Sequence, residues 1–364
     1  MNSRTIIDAT LHRALQRQKT GELREAIRLY NDVLELDGKN FDAIQLLGLC
    51  CYQANQLAPA LRYLNEALAL RRDVASVFNH RGIVLKALER HAEALSDFDA
   101  AIALNTRFAD AHFNKGNTLV ALGQHQIAAA SFEKASELQP RNTRYLNNLA
   151  SCWSELNNLT RACEVFQRVV ALDGADVRGL LNLGLILHKL QRFEEGISAY
   201  SRAIELDRSS AEAYAGRGDA LRELRRLDEA LSDCEEAIRL NDQSAPAYCS
   251  YANVLKELNS VEEALANYQK AISLAPQCSP AWIGIARIDS EAGRFEEAEV
   301  KYQRARSLDP KSVTPLCGIA EVKRFESSDT LVREFELLLS ASFLSERERS
   351  ELYHAYAKIC NDLS

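Results

Sequence analysis

The feature that most constrains this chain is a repeat with one fixed period. Leucine returns at every 34th position with no insertion or deletion, at Leu36, Leu70, Leu104, Leu138, Leu172, Leu206, Leu240, Leu274 and Leu308. Small residues recur in the same phase in three further columns. A regular period of roughly 20 to 50 residues indicates a repeat architecture, because one such unit cannot bury its apolar face without stacking on its neighbours.

Within each unit, apolar and small residues follow the three- and four-residue spacing of packed helices. In residues 109–140, a break near Gly123 separates two such helical stretches. Small residues let two helix backbones approach closely, and we expect the leucine column and an aromatic column to fill the space between them. The aromatic column comprises Tyr30, Phe98, Phe132, Phe166, Tyr200, Tyr268 and Tyr302. The pattern therefore predicts an all-α fold of stacked helical hairpins.

These columns resemble those of the tetratricopeptide repeat (TPR) family. Residues 180–187 follow the family's W-x2-L-G-x2-Y pattern, and its closing proline is present at Pro140, Pro276 and Pro310. The resemblance implies a right-handed α-solenoid (superhelix) of 34-residue hairpins at 7–40, 41–74, 75–108, 109–142, 143–176, 177–210, 211–244, 245–278 and 279–312. It leaves residues 313–364 as a degenerate tenth first helix followed by C-terminal capping helices.

Charge, cysteine spacing and motif content narrow the function classes. With 44 basic and 51 acidic residues, the net charge of −7 provides no bulk positive field for nucleic acid. The nine cysteines form no C-x-x-C pair, so we expect free thiols in a reducing compartment and no metal site. The sequence contains no phosphate-loop, dinucleotide-binding, zinc-protease or serine-nucleophile motif. We therefore expect no catalytic residues, no cofactor and no enzymatic activity.

Signals for secretion and membrane insertion are also missing from the sequence. The first residues contain no apolar signal segment, and no apolar run reaches the length of about 18 residues that a membrane span needs. We expect a cytoplasmic protein with neither a membrane nor a nucleic-acid partner.

The family resemblance implies that the first helices line a concave groove, with the second, fifth, sixth, ninth, twelfth and thirteenth residues of each unit facing inward. Asparagine occupies the sixth position of three consecutive units, at Asn114, Asn148 and Asn182, and His80 precedes them in the same column. Because an amide both donates and accepts hydrogen bonds, this column can pair with the backbone of an extended peptide. It resembles the asparagine ladder in the repeat domain of O-linked N-acetylglucosamine transferase. The alternative is that asparagine here only caps or hydrates a polar helix face.

Other inward positions complete the predicted binding surface. The remaining polar candidates are Asn79, Asn117, Asn147, Arg178 and Lys189. The apolar candidates are Leu11, Leu15, Leu46, Leu49, Tyr52, Ile83 and Phe113. An apolar lining of this size indicates contact with a partner, and the alternative is contact with a second copy of the chain. The densest basic run, residues 217–226, is interleaved with acidic residues and predicts a salt-bridged surface.

Residues 319–363 carry a second resemblance, to the junction in bacterial fusions of TPR and sulfotransferase domains. The sequence as a whole nevertheless predicts a non-catalytic protein–protein interaction scaffold or adaptor, which binds an extended peptide or a partner protein in the groove. Two alternatives stay open. One is a substrate-recruiting arm of a sulfotransferase or glycosyltransferase whose catalytic domain is absent from this chain, and the other is a self-assembling oligomeric scaffold.

Overall fold

The helices of this protein recur with the period of its sequence. The computed structural model describes residues 3–310, 312–326, 330–340, 344 and 346–363, and the regular secondary structure in these ranges is all helical. The prediction of an all-α fold is confirmed. The chain folds as two compact units, Met1–Glu155 (the N-terminal unit) and Leu156–Ser364 (the C-terminal unit).

The N-terminal unit alternates first and second helices of hairpins. Its helices are α1 (Ser3–Lys19), α2 (Leu23–Leu36), α3 (Phe41–Gln53), α4 (Leu57–Leu70), α5 (Ala75–Ala87), α6 (His91–Leu104), α7 (Ala109–Ala121), α8 (His125–Leu138) and α9 (Thr143–Glu155). From α4 onward, each helix begins one full repeat after its counterpart in the preceding hairpin.

The C-terminal unit keeps the same phase up to its last three helices. Its helices are α10 (Leu159–Leu172), α11 (Val177–Lys189), α12 (Phe193–Leu206), α13 (Ala211–Glu223), α14 (Leu227–Leu240), α15 (Ala245–Glu257), α16 (Val261–Leu274), α17 (Ser279–Glu291), α18 (Phe295–Leu308), α19 (Thr314–Val322), α20 (Thr330–Leu339) and α21 (Glu346–Leu363). Apolar residues of α19, α20 and α21 share one buried cluster around Ile319, Phe335 and Ile359, which closes the apolar core at this end of the unit.

One turn geometry follows the first helices in both units. Positive φ angles recur once per repeat, at Gly21, Asn55, Glu89, Gly123, Asn157, Gln191, Arg225, Asn259 and Gly293. At most of these turns the next residue donates its backbone N–H to a carbonyl five residues earlier, as Gln56 does to Cys51 at 2.8 Å. This bond satisfies a carbonyl at the end of the helix and reverses the chain. Glycine and asparagine adopt the left-handed conformation at little cost, whereas Glu89, Gln191 and Arg225 are strained there.

The aromatic column fills the interior of the hairpins, as the sequence predicts. Phe98 and Phe132 are completely buried. A Cβ atom on Gly82 would lie 2.6 Å from Cε1 of Phe98, which is closer than two carbons can approach. The glycine therefore lets the ring on the second helix lie directly against the backbone of the first helix.

The leucine column does not fill that space, so this expectation was wrong. Leu36 is 56% exposed and Leu104 is 46% exposed. Each of these leucines is the final residue of a second helix, where the hairpin gives its side chain little cover. The interior is filled by the aromatic column and by alanines such as Ala94 and Ala101, which are fully buried.

Candidate functional site

The N-terminal unit has a pocket of about 580 Å³ on its first-helix face, which we define as the surface formed by α3, α5, α7 and α9. The pocket is lined by Leu49, Tyr52, Asn79, His80, Ile83, Lys86, Ala87, Phe98, Asp110, Asn114 and Arg144. Of these, the candidates named from the sequence are Leu49, Tyr52, Asn79, His80, Ile83 and Asn114. Lys86 and Asp110 are lining residues that sequence reasoning missed.

The amides of this face bind one another. Asn114 Nδ2 donates a hydrogen bond to Asn79 Oδ1 at 2.9 Å, and Asn148 Nδ2 donates to Asn117 Oδ1 at 2.7 Å. Asn79 is only 4% exposed, so its amide holds Asn114 in place rather than reaching a partner itself. Because each amide has two N–H donors and a carbonyl acceptor, Asn114 and Asn148 retain bonding capacity beyond these contacts.

His80 contributes a neutral ring to the pocket. Its Nδ1 atom is buried and, among the described residues, has no hydrogen-bond partner. Burial lowers the pKa of His80 to about 4, although the nearby Asp110 carboxylate opposes this shift. The ring is therefore uncharged at pH 7 and offers a nitrogen that can donate or accept one hydrogen bond.

Asp110 and Arg144 largely neutralise each other at the edge of the pocket. The Tyr145 hydroxyl donates a hydrogen bond to Asp110 Oδ1 at 2.7 Å, and an Arg144 guanidinium nitrogen lies 3.6 Å from the same oxygen. The guanidinium also covers the Phe113 ring, 4.4 Å from its centroid. Phe113 is 5% exposed, so this predicted contact residue is a core residue beneath Arg144.

Lys86 supplies the pocket with a cation that no described residue neutralises. The side chain is half-buried, and burial lowers the pKa of its ammonium group. No carboxylate in the described part of the chain forms an ion pair with it. A partly desolvated cation without a partner is unfavourable, and a bound carboxylate would relieve that cost.

The same repeat position carries paired cations in the C-terminal unit. Arg222 donates to Glu257 at 2.6 Å, and Lys256 donates to Glu291 at 2.5 Å. Each glutamate follows its cation by one full repeat and one further position. Ala121 is the residue at that offset from Lys86, and its methyl group cannot neutralise the lysine.

The choice between phenylalanine and tyrosine explains where the asparagine column ends. Where the second helix of one repeat carries phenylalanine, the sixth position of the next repeat is asparagine (Phe98 and Asn114, Phe132 and Asn148, Phe166 and Asn182). In the C-terminal unit, where it carries tyrosine, that position is glycine (Tyr200 and Gly216, Tyr268 and Gly284, Tyr302 and Gly318), whereas Tyr30 of the N-terminal unit is followed there by Leu46. A Cβ atom on Gly216 would lie 2.5 Å from Cζ of Tyr200. The tyrosine ring thus occupies the volume that an asparagine side chain would need, a signal that was readable in the sequence.

The remaining apolar candidates lie on the first-helix face or next to it. Leu11, Leu46 and Tyr52 are half-buried and pack against the apolar core of the N-terminal unit. Leu15 is also half-buried. Part of the surface of each of these side chains is therefore already buried by packing. This leaves less apolar area for a partner than the sequence suggested.

The remaining polar candidates are divided between the units. Asn147 lies half-buried on α9 of the N-terminal unit. Asn182, Arg178 and Lys189 lie on α11 of the C-terminal unit, where Asn182 is half-buried. Arg178 and Lys189 are both exposed.

The end of the C-terminal unit is covered by the chain's own last helix. Helix α21 packs against α19 and leaves a pocket of about 300 Å³ beside it. Lys358 donates to the Lys323 carbonyl and to Asp362, and the Phe325 N–H donates to Asp362 Oδ2 at 3.1 Å. The tail helices bury their apolar residues at this end of the unit.

The basic run at 217–226 forms ion pairs, as predicted. Arg217 makes two hydrogen bonds to Asp233, at 2.7 and 2.8 Å, and Arg226 Nε donates to Glu229 at 2.7 Å. The Arg217 side chain is only 24% exposed, so this surface is less solvated than the sequence suggested.

The described residues include neither a membrane-spanning helix nor a cluster of metal-binding side chains. None of the helices in these ranges has both the length and the apolar character needed to cross a membrane. In the same ranges, no three side chains of the metal-binding types (His, Cys, Asp or Glu) come together.

Sequence and structure comparisons agree on the repeat. Tetratricopeptide repeat models match residues 80–126, 113–177 and 181–245, and residues 18–79 and 255–315. No curated protein matches the chain in sequence.

Solved structures with a similar fold include several TPR proteins. PilF of Pseudomonas aeruginosa has a TM-score of 0.52 at 20% identity, over 58% of this chain and 97% of that one. Yeast Tom70 scores 0.49 at 18% identity, over 98% of this chain and 88% of that one. YrrB, a TPR protein with an unusual peptide-binding site, scores 0.47 at 22% identity, over 50% of this chain and 95% of that one. At such identities the likeness concerns the fold, and the repeat matches cover most of the sequence: the chain belongs to the tetratricopeptide repeat family.

Proposed function

We propose that this chain is a non-catalytic interaction scaffold whose N-terminal unit binds an extended peptide segment of a partner protein. The pocket on the first-helix face would accept an apolar side chain next to an acidic one. The observation that carries this proposal is Lys86, a half-buried cation with no carboxylate partner in the described part of the chain.

The charge balance of the pocket supports an acidic ligand. At pH 7 the His80 ring is neutral, because burial lowers its pKa to about 4. Asp110 lies beside Arg144, so these two charges largely cancel. Lys86 then leaves the pocket with a net positive charge, and a carboxylate from the peptide would form a charge-assisted hydrogen bond with it.

The apolar and amide parts of the pocket support an extended backbone. Leu49, Tyr52 and Ile83 are half-buried and would contact an apolar side chain at one end. Asn114 is held by its bond to Asn79 and would pair with the peptide backbone. An amide fixed in advance loses little conformational freedom when a peptide binds, so its hydrogen bond contributes more to affinity.

The other predicted contacts belong to the same proposal. Asn117, Asn147 and Asn148 would extend the peptide site along the N-terminal unit. Asn182, Arg178 and Lys189 are proposed contacts on the C-terminal unit for a longer segment of the partner.

Selection from a random peptide library tests the proposal. Dodecapeptides displayed on phage are selected against the immobilised full chain and then, separately, against the Lys86→Ala variant. We expect peptides retained by the wild type to be enriched in an aspartate or glutamate adjacent to a large apolar residue. Removing the lysine should weaken the best of them by about 10- to 100-fold, since a hydrogen bond to a charged group is worth about 1.5–3 kcal/mol.

The matched control is Lys256→Ala, which removes the same residue type from the same repeat position in the C-terminal unit. Lys256 is already paired with Glu291, so its loss should leave peptide affinity unchanged. Selected peptides without acidic enrichment, or equal losses for the two alanine variants, would remove the pocket from the account.

A further inference from the structure

Two cysteines of the C-terminal unit lie with their sulfur atoms in contact. Cys249 is in α15, Cys278 is the residue before α17, and their Sγ atoms are 3.4 Å apart. Disulfide sulfurs are about 2.05 Å apart, so this pair needs to approach by only roughly 1.4 Å. Cys249 is buried and Cys278 is half-buried, which leaves Cys278 as the sulfur that solvent can reach.

Cys278 stands at a helix N-cap position where other repeats place an oxygen. Asp176, Ser210 and Ser244 occupy this position and each accepts a hydrogen bond from the backbone N–H three residues later. The positive end of a helix dipole favours an anion, so this position favours a thiolate. A hydrogen bond from Cys249, helped by the backbone N–H of Ala281, lowers the pKa of Cys278 although burial opposes the shift.

We propose that Cys249 and Cys278 form a reversible disulfide in the native C-terminal unit when the chain meets a hydroperoxide. The Cys278 thiolate attacks the peroxide oxygen, becomes a sulfenic acid and releases an alcohol, or water in the case of hydrogen peroxide. The Cys249 sulfur then attacks the sulfenic sulfur, forming the S–S bond, and its proton leaves with the hydroxyl group as water. The two thiols lose two electrons, which reduce the hydroperoxide.

The crosslink would join two first helices. Cys249 belongs to α15, Cys278 directly precedes α17, and α16 lies between them in the chain. Neighbouring hairpins of a repeat protein are normally held together only by their interface. The disulfide would add a covalent link between two successive hairpins of the C-terminal unit.

Peptide mapping of the intact protein tests this proposal. The reduced full chain is treated with a small excess of hydrogen peroxide, alkylated in denaturant and digested. We expect the peptides that contain Cys249 and Cys278 to be linked at least tenfold more abundantly than any other cysteine pair, and a reductant should separate them. The same treatment of chain already unfolded in urea should lower this linkage at least tenfold, because the native contact is lost.

Two serine variants assign the steps. In Cys249→Ser, the sulfenic acid at Cys278 has no resolving thiol, so dimedone should label Cys278. In Cys278→Ser, Cys249 should remain alkylatable after the same peroxide dose. Circular dichroism checks that both variants are folded. Equal linkage in native and unfolded chain, or a native chain in which both thiols stay alkylatable while other cysteines oxidise, would overturn the proposal.

Discussion

The first-helix faces of the two units use the same repeat positions for different chemistry. In the N-terminal unit this face holds a pocket with half-buried apolar residues, paired amides and Lys86, which forms no ion pair with any residue that the structure describes. In the C-terminal unit the cations of that position are paired with glutamates, and tyrosine rings lie against glycines. One interaction is shared, since Asn148 donates to Asn117 and Ser250 donates to Asp219 across the same offset in the chain.

The difference teaches that a few substitutions decide whether the charges and the space on a repeat face are matched by the chain's own side chains. In the C-terminal unit, a glutamate at the thirteenth position neutralises the cation of the preceding repeat, whereas Ala121 at that position of the N-terminal unit has no charge with which to do so. In the C-terminal unit, a second-helix tyrosine such as Tyr200 fills the space at the sixth position of the next repeat, whereas a phenylalanine such as Phe132 leaves space there for an asparagine. The backbone is the same in both cases, so function is carried by these side chains rather than by the fold.

The largest expected effect comes from placing an asparagine at a sixth position that a tyrosine ring already fills. Gly216→Asn alone should lower the free energy of unfolding by about 3 kcal/mol, because its side chain would overlap the Tyr200 ring. Adding Tyr200→Phe should recover at least about 1 kcal/mol of this, since a phenylalanine at the same repeat position, Phe132, lies against Gly116 and is followed by an asparagine, Asn148. Urea denaturation of both single variants and the double variant measures the coupling. If the two single effects simply add, the tyrosine ring does not exclude the asparagine side chain as described.

A smaller effect is expected from the neutral histidine of the pocket. The pKa of His80 is about 4 in the folded chain against an ordinary value of 6.5, so the folded state binds fewer protons between these values. The stability it contributes is present above pH 6.5 and is lost as the pH falls towards 4, by up to about 2 kcal/mol at pH 5. His80→Leu should therefore reduce the difference in unfolding free energy between pH 7 and pH 5.

The control for that measurement is His12→Leu, at an exposed position of α1. Urea titrations at both pH values are compared for the three proteins. An unchanged pH difference in His80→Leu would mean that the ring is not desolvated as described.

The smallest effect concerns the strained turns, which occur in both units. Glu89→Gly should raise the free energy of unfolding by about 0.5–1 kcal/mol, because a left-handed conformation is costly for glutamate but not for glycine. Arg225→Gly should raise it less, since Arg225 also donates to Glu257. The midpoints of urea denaturation give both values. A larger gain at Arg225 than at Glu89 would contradict this comparison of the two turns.

Much of the fold was predictable because the period dictates it. The break at Gly123 located the turn between two helices, and the left-handed turn recurs at the same repeat position in residues as different as Asn55 and Arg225. The leucine column was misread, because periodicity alone does not distinguish an interior position from the last turn of a helix. Capping helices were expected in residues 313–364, but the surface to which α21 docks could not be named, since the tail leaves the repeat and that surface is defined only by the folded chain.

The candidate site was predictable in part for a similar reason. Inward positions follow from the family register, so His80, Asn114 and Ile83 could be named from the sequence. The burial of Phe113 beneath Arg144 could not, because it depends on which of several neighbours covers the ring. Lys86 was missed because the sequence alone does not show which residue would pair with a cation at this repeat position. The ion pairs of the C-terminal unit show where that residue stands.

The most direct test of the central claim supplies Lys86 with an engineered carboxylate partner. Ala121→Glu places a carboxylate at the offset that the paired glutamates of the C-terminal unit use, at an exposed position at the end of α7. The affinity of a fluorescein-labelled acidic dodecapeptide, selected on the wild type, is measured by fluorescence polarisation for the wild type and this variant. The account predicts a loss of about 10-fold or more with unchanged helicity, because the new glutamate competes with the peptide carboxylate. Equal affinity for the two proteins would contradict it.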